Sequence, residues 1–238
     1  MRLAFISDIH GNALALEAVL ESMKQKKVDK IFVLGDLCFR GPEPKRSLDL
    51  VRTMGAEVIK GNADEWIVRG VQKGEVPEES LRMMNEERDW TYARLDDDSV
   101  AYLKNLPTEL NLSYGNINIH AFHATPTSLF EVVQPFEADD HLAKKLFLHD
   151  ADLYMYAHIH KPYMRSIDGK TVMNIGSVGL PFDGLHKPSY GLVDIAGDDF
   201  TTSIVRVDYD VAKVIDQFKQ SDYPNVPFMT KILGNAHV

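Results

Sequence analysis

The feature that most limits how this chain can fold is a repeated unit. A short apolar run ends abruptly in a polar cluster, and a helical stripe follows. Arg2-Leu3-Ala4-Phe5-Ile6-Ser7 reads as a largely buried strand, ending in Asp8-Ile9-His10-Gly11-Asn12. Asn12 is suited to cap a helix, and Leu14, Leu16, Val19, Leu20 and Met23 supply its apolar stripe. Lys30-Ile31-Phe32-Val33-Leu34 repeats the unit and ends in Gly35-Asp36, with Leu48, Leu50, Val51 and Met54 as the next stripe. Glu57-Val58-Ile59-Lys60 is a third strand, leading into Gly61-Asn62-Ala63-Asp64. Strand, loop and helix alternating over short connections predict parallel βαβ units. The polar clusters then share one sheet edge, where an open α/β sheet takes its ligand.

Two later runs end in the same way. Residues 117–122 lead to His123-Ala124-Thr125-Pro126, and Leu153-Tyr154-Met155-Tyr156 leads to Ala157-His158-Ile159-His160-Lys161-Pro162. Between about 65 and 105 the chain is helical and charged, which predicts a helical insertion, with a lid over the site as the alternative. Asp96-Asp97-Asp98 is expected to cap a helix in solvent. Strands are expected at 163–167, 171–175, 190–194 and 201–207, with Asp168-Gly169 as a hairpin turn, so the second half is more antiparallel. A closing helix is expected at 210–220. Residues 222–238, which include Pro224 and Pro227, are expected to form an irregular tail. No repeat, low-complexity stretch or linker interrupts the chain, which predicts a single domain over 1–238.

Composition narrows the function. A formal charge of −9 argues against stable nucleic-acid binding by phosphate neutralisation, though bound cations can reverse the sign locally. Cys38 is the only cysteine, so no intrachain disulfide forms and a reducing cytoplasm is expected. The residues before Asp8 are too few for a signal peptide, and no stretch approaches the ~20 apolar residues of a membrane span.

Divalent metals of hard to borderline character take carboxylate oxygen and neutral imidazole nitrogen. Asp8, His10, Asp36, Asn62, His123, His158 and His160 offer such atoms, more than one tetrahedral site needs, which points to two ions with Asp36 able to bridge them. Two ions roughly 3.5–4 Å apart clamp the attacking and departing oxygens of an in-line displacement at phosphorus.

Asp8-x-His10, Gly35-Asp36, Gly61-Asn62-x-Asp64, His123-x-x-Pro126 and His158-x-His160 together resemble the ordered signature of calcineurin-like metallophosphoesterases. Asn174-x-Gly176-Ser177-Val178-Gly179 resembles the segment after the last histidines in small bacterial phosphodiesterase-like members. The resemblance spans residue 3 to about 195. It implies a four-layer α/β/β/α sandwich with mixed sheets. It implies one metal on Asp8, His10, Asp36 and His160, and a second on Asp36, Asn62, His123 and His158. Asp36, Asn62 and His160 are the residues expected to carry catalysis, with Asn62 also touching substrate. The implied reaction is hydrolysis of phosphodiesters or activated monoesters by a metal-bridging hydroxide. Manganese is the expected ion, with iron, zinc, nickel or magnesium as alternatives. The substrate class is small and phosphorylated, nucleotide-derived compounds included.

The chain departs from that family at Ala63, where many members carry a histidine that protonates the leaving oxygen. Alanine can do neither that nor hold charge, so general-acid help worth ~10²–10⁴-fold is absent there. The expectation is an altered ester preference, with His120 or His186 as substitutes. Arg40 and Gly41 partly resemble the phosphate-gripping Gly-Asp-x-x-Asp-Arg-Gly element of protein phosphatases and dinucleoside polyphosphate hydrolases, with Phe39 in place of the second aspartate. Arg40 and His186 are therefore substrate-binding candidates. His120 competes with His123, and the spacing to Pro126 favours His123 as ligand. Asp64 is read as a helix cap or as part of the site, and Cys38 as a small core residue. The rival functions are a protein or dinucleoside-polyphosphate phosphatase, and a binding scaffold that lost catalysis.

Overall fold

Strand β1 (Arg2–Ile6) carries apolar side chains on both faces, and each face has a different neighbour. Ala4 and Ile6 enter a core shared with helices, whereas Leu3 and Phe5 enter a core shared with a second sheet. This is the alternation of a strand buried on both sides. The structure is a computed structural model that describes residues 1–237. In chain order β1 is followed by α1 (Ala13–Gln25), β2 (Lys30–Val33), α2 (Pro44–Thr53), β3 (Glu57–Val58) and α3 (Asn62–Arg69). Then come α4 (Glu78–Tyr92), α5 (Asp97–Lys104), β4 (Glu109–Tyr114), β5 (Ile117–Phe122), α6 (Asp139–Leu146) and β6 (Leu153–Tyr156). The rest is β7 (Tyr163–Ile167), β8 (Lys170–Asn174), β9 (Ser189–Ala196), β10 (Asp199–Arg206), α7 (Val211–Gln220) and α8 (Val226–Asn235).

Two five-stranded mixed sheets result, in the orders β10-β9-β1-β2-β3 and β4-β5-β6-β8-β7. In the first, β1, β2 and β3 run parallel and β9 is antiparallel to β1. In the second, β5, β6 and β8 run parallel, with β4 and β7 antiparallel at its edges. The sheets face each other through Phe5, Phe32, Leu34, Ile119, Leu153, Met155 and Met173, with Phe5 and Phe32 stacked at 4.8 Å. Leu16 and Val19 of α1, Leu48 and Val51 of α2, and Ile67 of α3 cover the outer face of the first sheet. Leu142 and Leu146 of α6 cover the second against Tyr154 and Tyr156. Four layers, α/β/β/α, follow. Each fully buried side chain of this size contributes about 1.5–3 kcal/mol, which is what keeps the layers in register.

The caps behave as their residues suggest: Asn12 accepts the Ala15 N–H, Asp96 that of Ser99 and Asp210 that of Lys213. The tail does not. Residues 226–235 form α8 rather than an irregular segment, and Val226 begins it with Pro227 in the first turn. Proline is tolerated there because the first-turn N–H groups lack intrahelical partners anyway. Met229, Ile232 and Leu233 seal α8 onto Val214 and Phe218 of α7. The third strand is also shorter than expected, ending at Val58, and α3 begins at Asn62 itself. Among the described residues no helix is long and apolar enough to cross a membrane.

Candidate metal centre

Loops at the ends of β1, β2, β5 and β6, with the first turn of α3, bring the polar clusters together. Asp8, His10, Asp36 and His160 are buried, and each offers one ligand atom within 4.8 Å of the others. His10 Nε2 lies 3.2 Å from His160 Nε2, 3.5 Å from Asp36 Oδ2 and 3.8 Å from Asp8 Oδ1. His160 Nε2 is 3.3 Å from Asp8 Oδ1. An ion held at about 2.0–2.2 Å spreads its ligand atoms over comparable separations. A second group adjoins: His123 Nε2 and His158 Nδ1 each lie 2.9 Å from Asn62 Oδ1. Asp36 Oδ2, 3.6 Å from His123 Nε2, faces both groups.

The tautomers follow from the backbone. His10 Nδ1 is 2.9 Å from the Phe39 carbonyl, His160 Nδ1 2.5 Å from that of Leu180, and His123 Nδ1 2.7 Å from that of Leu34. A carbonyl only accepts, so each Nδ1 carries the hydrogen and each Nε2 presents a lone pair to the centre. Burial, reinforced by His160, pushes His10 down to about 3, and burial with His123 pushes His158 down to about 3, so neither imidazole carries charge at neutral pH. The two Nε2 atoms of His10 and His160 approach to 3.2 Å with their Nδ1 atoms already engaged by carbonyls, a spacing that suits two ligands of one cation. Asp8 Oδ1 is buried without a hydrogen-bond partner among the described residues. Burial, with the charges of Asp8 and Asp64, raises Asp36 well above the usual carboxylate range. All three facts fit divalent cations, which would neutralise the carboxylates and take the lone pairs.

The loops are held in unusual conformations. Asp8, His10, Asp36, His158 and His160 have φ of 51°, 48°, 56°, 66° and 57°, in the left-handed region that L-residues rarely enter. The left-handed turns at His158 and His160 themselves bring both rings to the centre, where an extended chain would send them apart. Close backbone approaches complete the cradle: a Cβ on Gly61 would collide with Asp36 Oδ1, and one on Gly179 with the Ile9 carbonyl oxygen. Only glycine fits at either place. Ser177 Oγ donates to the Asp8 carbonyl at 2.7 Å, so the Asn174–Gly179 segment latches the first loop.

The remaining candidates separate. Asp64, buried, is both cap and support: its carboxylate accepts from the N–H groups of Asp36, Leu37 and Gly61 at 2.8, 2.9 and 2.9 Å. His120 stays away from the centre, 2.7 Å from Glu109 Oε2 and against the ring of His149. Arg40 lines a cavity of about 120 Å³ over the centre, with Trp66, Leu180 and Phe182. His186 does not line it; its Nε2 lies 2.9 Å from the Gly234 carbonyl, because the loop that carries it turns toward α8. Burial raises the Cys38 thiol, so it stays an inert core group. Sequence reasoning missed Phe182, which stacks on His160 at 4.2 Å, and Glu87, which pairs with Arg40 Nε at 2.7 Å. Neither carries a local signal, since each is brought in by a segment distant in sequence.

A buried histidine–aspartate centre at the strand ends of two stacked mixed sheets defines a metal-dependent phosphoesterase. Residues 1–198 match the model of the calcineurin-like phosphoesterase superfamily domain, and the chain belongs to that family. It is 30% identical, over 93% of each chain, to the uncharacterized protein MJ0912 of Methanocaldococcus jannaschii. The crystal structure of a metallophosphoesterase from Sphaerobacter thermophilus superposes with a TM-score of 0.80 at 25% identity, over 99% of both chains. The hypothetical protein PH1004 of Pyrococcus horikoshii shares the fold, with a TM-score of 0.83 at 23% identity over 98% of this chain and 97% of that one.

Proposed function

We propose that the centre hydrolyses phosphodiesters or activated monoesters with two divalent cations that share Asp36. The observation that carries this reading is the position of Asp36 Oδ2, 3.5 Å from His10 Nε2 and 3.6 Å from His123 Nε2. Asp8, His10 and His160 would complete one ion, and Asn62, His123 and His158 the other. Such a pair supplies charge to the phosphoryl oxygens and a readily ionised water. Arg40 would bind the phosphate, and the Phe182 and Trp66 rings line the cavity with it. An adjoining cavity of about 220 Å³, sharing His158 and Phe182 and lined by Val132, Ile159 and Lys161, offers room for the second ester arm of a diester. Ala63 puts no proton donor beside Asn62, which favours leaving groups that depart as stable anions. A small, nucleotide-derived phosphate compound in the cytoplasm fits these features, and manganese suits the mixed oxygen and imidazole donors.

Metal analysis of the purified protein, coupled to mono- and diester assays with manganese, nickel and zinc, tests this reading. Two ions per chain and turnover on at least one ester class are expected. Fewer than two ions with no turnover on either class would favour the binding scaffold.

A further inference from the structure

Arg40 reaches the cavity from a backbone position with φ of 67°, and its side chain is held from behind. Nε donates to Glu87 Oε2 at 2.7 Å. Glu87 lies on α4 with its side chain fully buried, so its charge has been taken out of water for the sake of this pair. Its other oxygen, Oε1, accepts from Asn225 Nδ2 at 2.9 Å, at the start of α8. Phe228 on the same helix lies 5.4 Å from the guanidinium carbon. Among the described residues neither Nη of Arg40 has a hydrogen-bond partner, so the ion pair consumes the edge donor and leaves the fork that grips phosphate bidentately.

We propose that Glu87 is a positioning residue that aims Arg40 at the bound phosphate, with Asn225 fixing the carboxylate in turn. The inference rests on the phosphoester reading above. It gives the helical stretch before residue 105 and the C-terminal helix one joint role, completing the substrate site from the far side of the metal centre. A carboxylate that only cemented the helices would act independently of Arg40. One that aims it would not.

The probe is inorganic phosphate, titrated calorimetrically into the manganese-loaded protein and its variants. Arg40→Ala and Glu87→Gln are each expected to weaken phosphate binding about 10-fold, with the double variant no weaker than Arg40→Ala alone. Asn225→Ala, which leaves the buried ion pair intact should Glu87→Gln fail to fold, is expected to weaken binding about threefold in the native background and not at all in the Arg40→Ala background. Multiplicative losses in either pair, or native affinity in Glu87→Gln or Asn225→Ala, overturn the proposal. Native protein that binds no phosphate overturns both the clamp and the hydrolase reading. Normal phosphate binding with the expected cycle but no ester turnover removes only the hydrolase reading.

Discussion

The Asp64 carboxylate accepts the backbone N–H of Asp36 at 2.8 Å and so fixes the residue that both halves of the centre face. The same carboxylate holds Leu37 and Gly61, and every one of these groups is buried. An amide in its place turns an acceptor into a donor and leaves at least one buried N–H facing another. Asp64→Asn is therefore expected to cost about 1–3 kcal/mol and to lower metal content, because the loop is released. Scanning calorimetry with and without manganese checks this. An unchanged melting temperature and unchanged ion count would assign Asp64 no supporting role.

Asp36 itself has no substitute. Its Oδ1 accepts the Ala63 N–H at 2.8 Å while Oδ2 faces both imidazole groups, so an amide cannot serve every partner. Asp36→Asn is expected to lower turnover by roughly 10³-fold and to reduce binding of both ions together. Loss of a single ion, with turnover near the native rate, would show that the carboxylate does not bridge.

Metal loading carries a pH signature whose sign comes from the same residue. Without metal, burial and the charges of Asp8 and Asp64 hold Asp36 well above its usual value, so it is protonated at mildly acidic pH. A raised folded value favours the metal-free fold at low pH, and that contribution fades as pH rises through Asp36's own titration. The ion requires the anion, so binding releases a proton and affinity rises about tenfold per pH unit below that titration. His10 and His158 stay neutral down to about 3 and release nothing in this range. Calorimetry at one mildly acidic pH in buffers of differing ionisation enthalpy reads the proton count. Net release of protons is expected; none would contradict the protonated state of Asp36.

Ala63, in the first turn of α3, is almost fully buried in the core, beside the centre. Ala63→His is expected to cost about 1–3 kcal/mol through overpacking. It is also expected to shift the ratio of monoester to diester turnover, because it supplies the missing proton donor. Identical ratios in the two proteins would exclude Ala63 as a determinant of ester preference.

The parallel core of the first sheet and the ligand-bearing loops were readable in the sequence because each strand announces its end locally. Gly35-Asp36 and Gly61-Asn62 follow apolar runs directly, and the pattern needs no knowledge of distant residues. Tertiary support was not readable. Glu87 and Asn225 meet through residues far apart in the chain, and α8 hid behind two prolines that usually end helices but here flank the start of one. His186 illustrates the same limit: its loop lay near the site in sequence, while the carbonyl of Gly234 determines where the ring goes. A turn at His158 and His160 was readable, because alternate residues of an extended chain cannot both face one centre and Lys161-Pro162 favours a bend there. That the histidines themselves take the left-handed backbone was not, since neither residue type signals it locally.

That left-handed backbone bears on how such a centre drifts over evolutionary time. At Asp8, His10, Asp36, His158 and His160 the chain adopts a conformation that glycine accepts freely and other residues resist by roughly 1–2 kcal/mol each. Replacement by glycine would relieve that backbone strain and at the same time remove side chains that tie the loops together, such as the Asp36 Oδ1 that accepts the buried Ala63 N–H and the Asp8 Oδ2 that accepts the N–H of His158. The same side chains thus offer atoms to the centre and hold the strained loops that present them, so loss of one weakens the scaffold as well as the site.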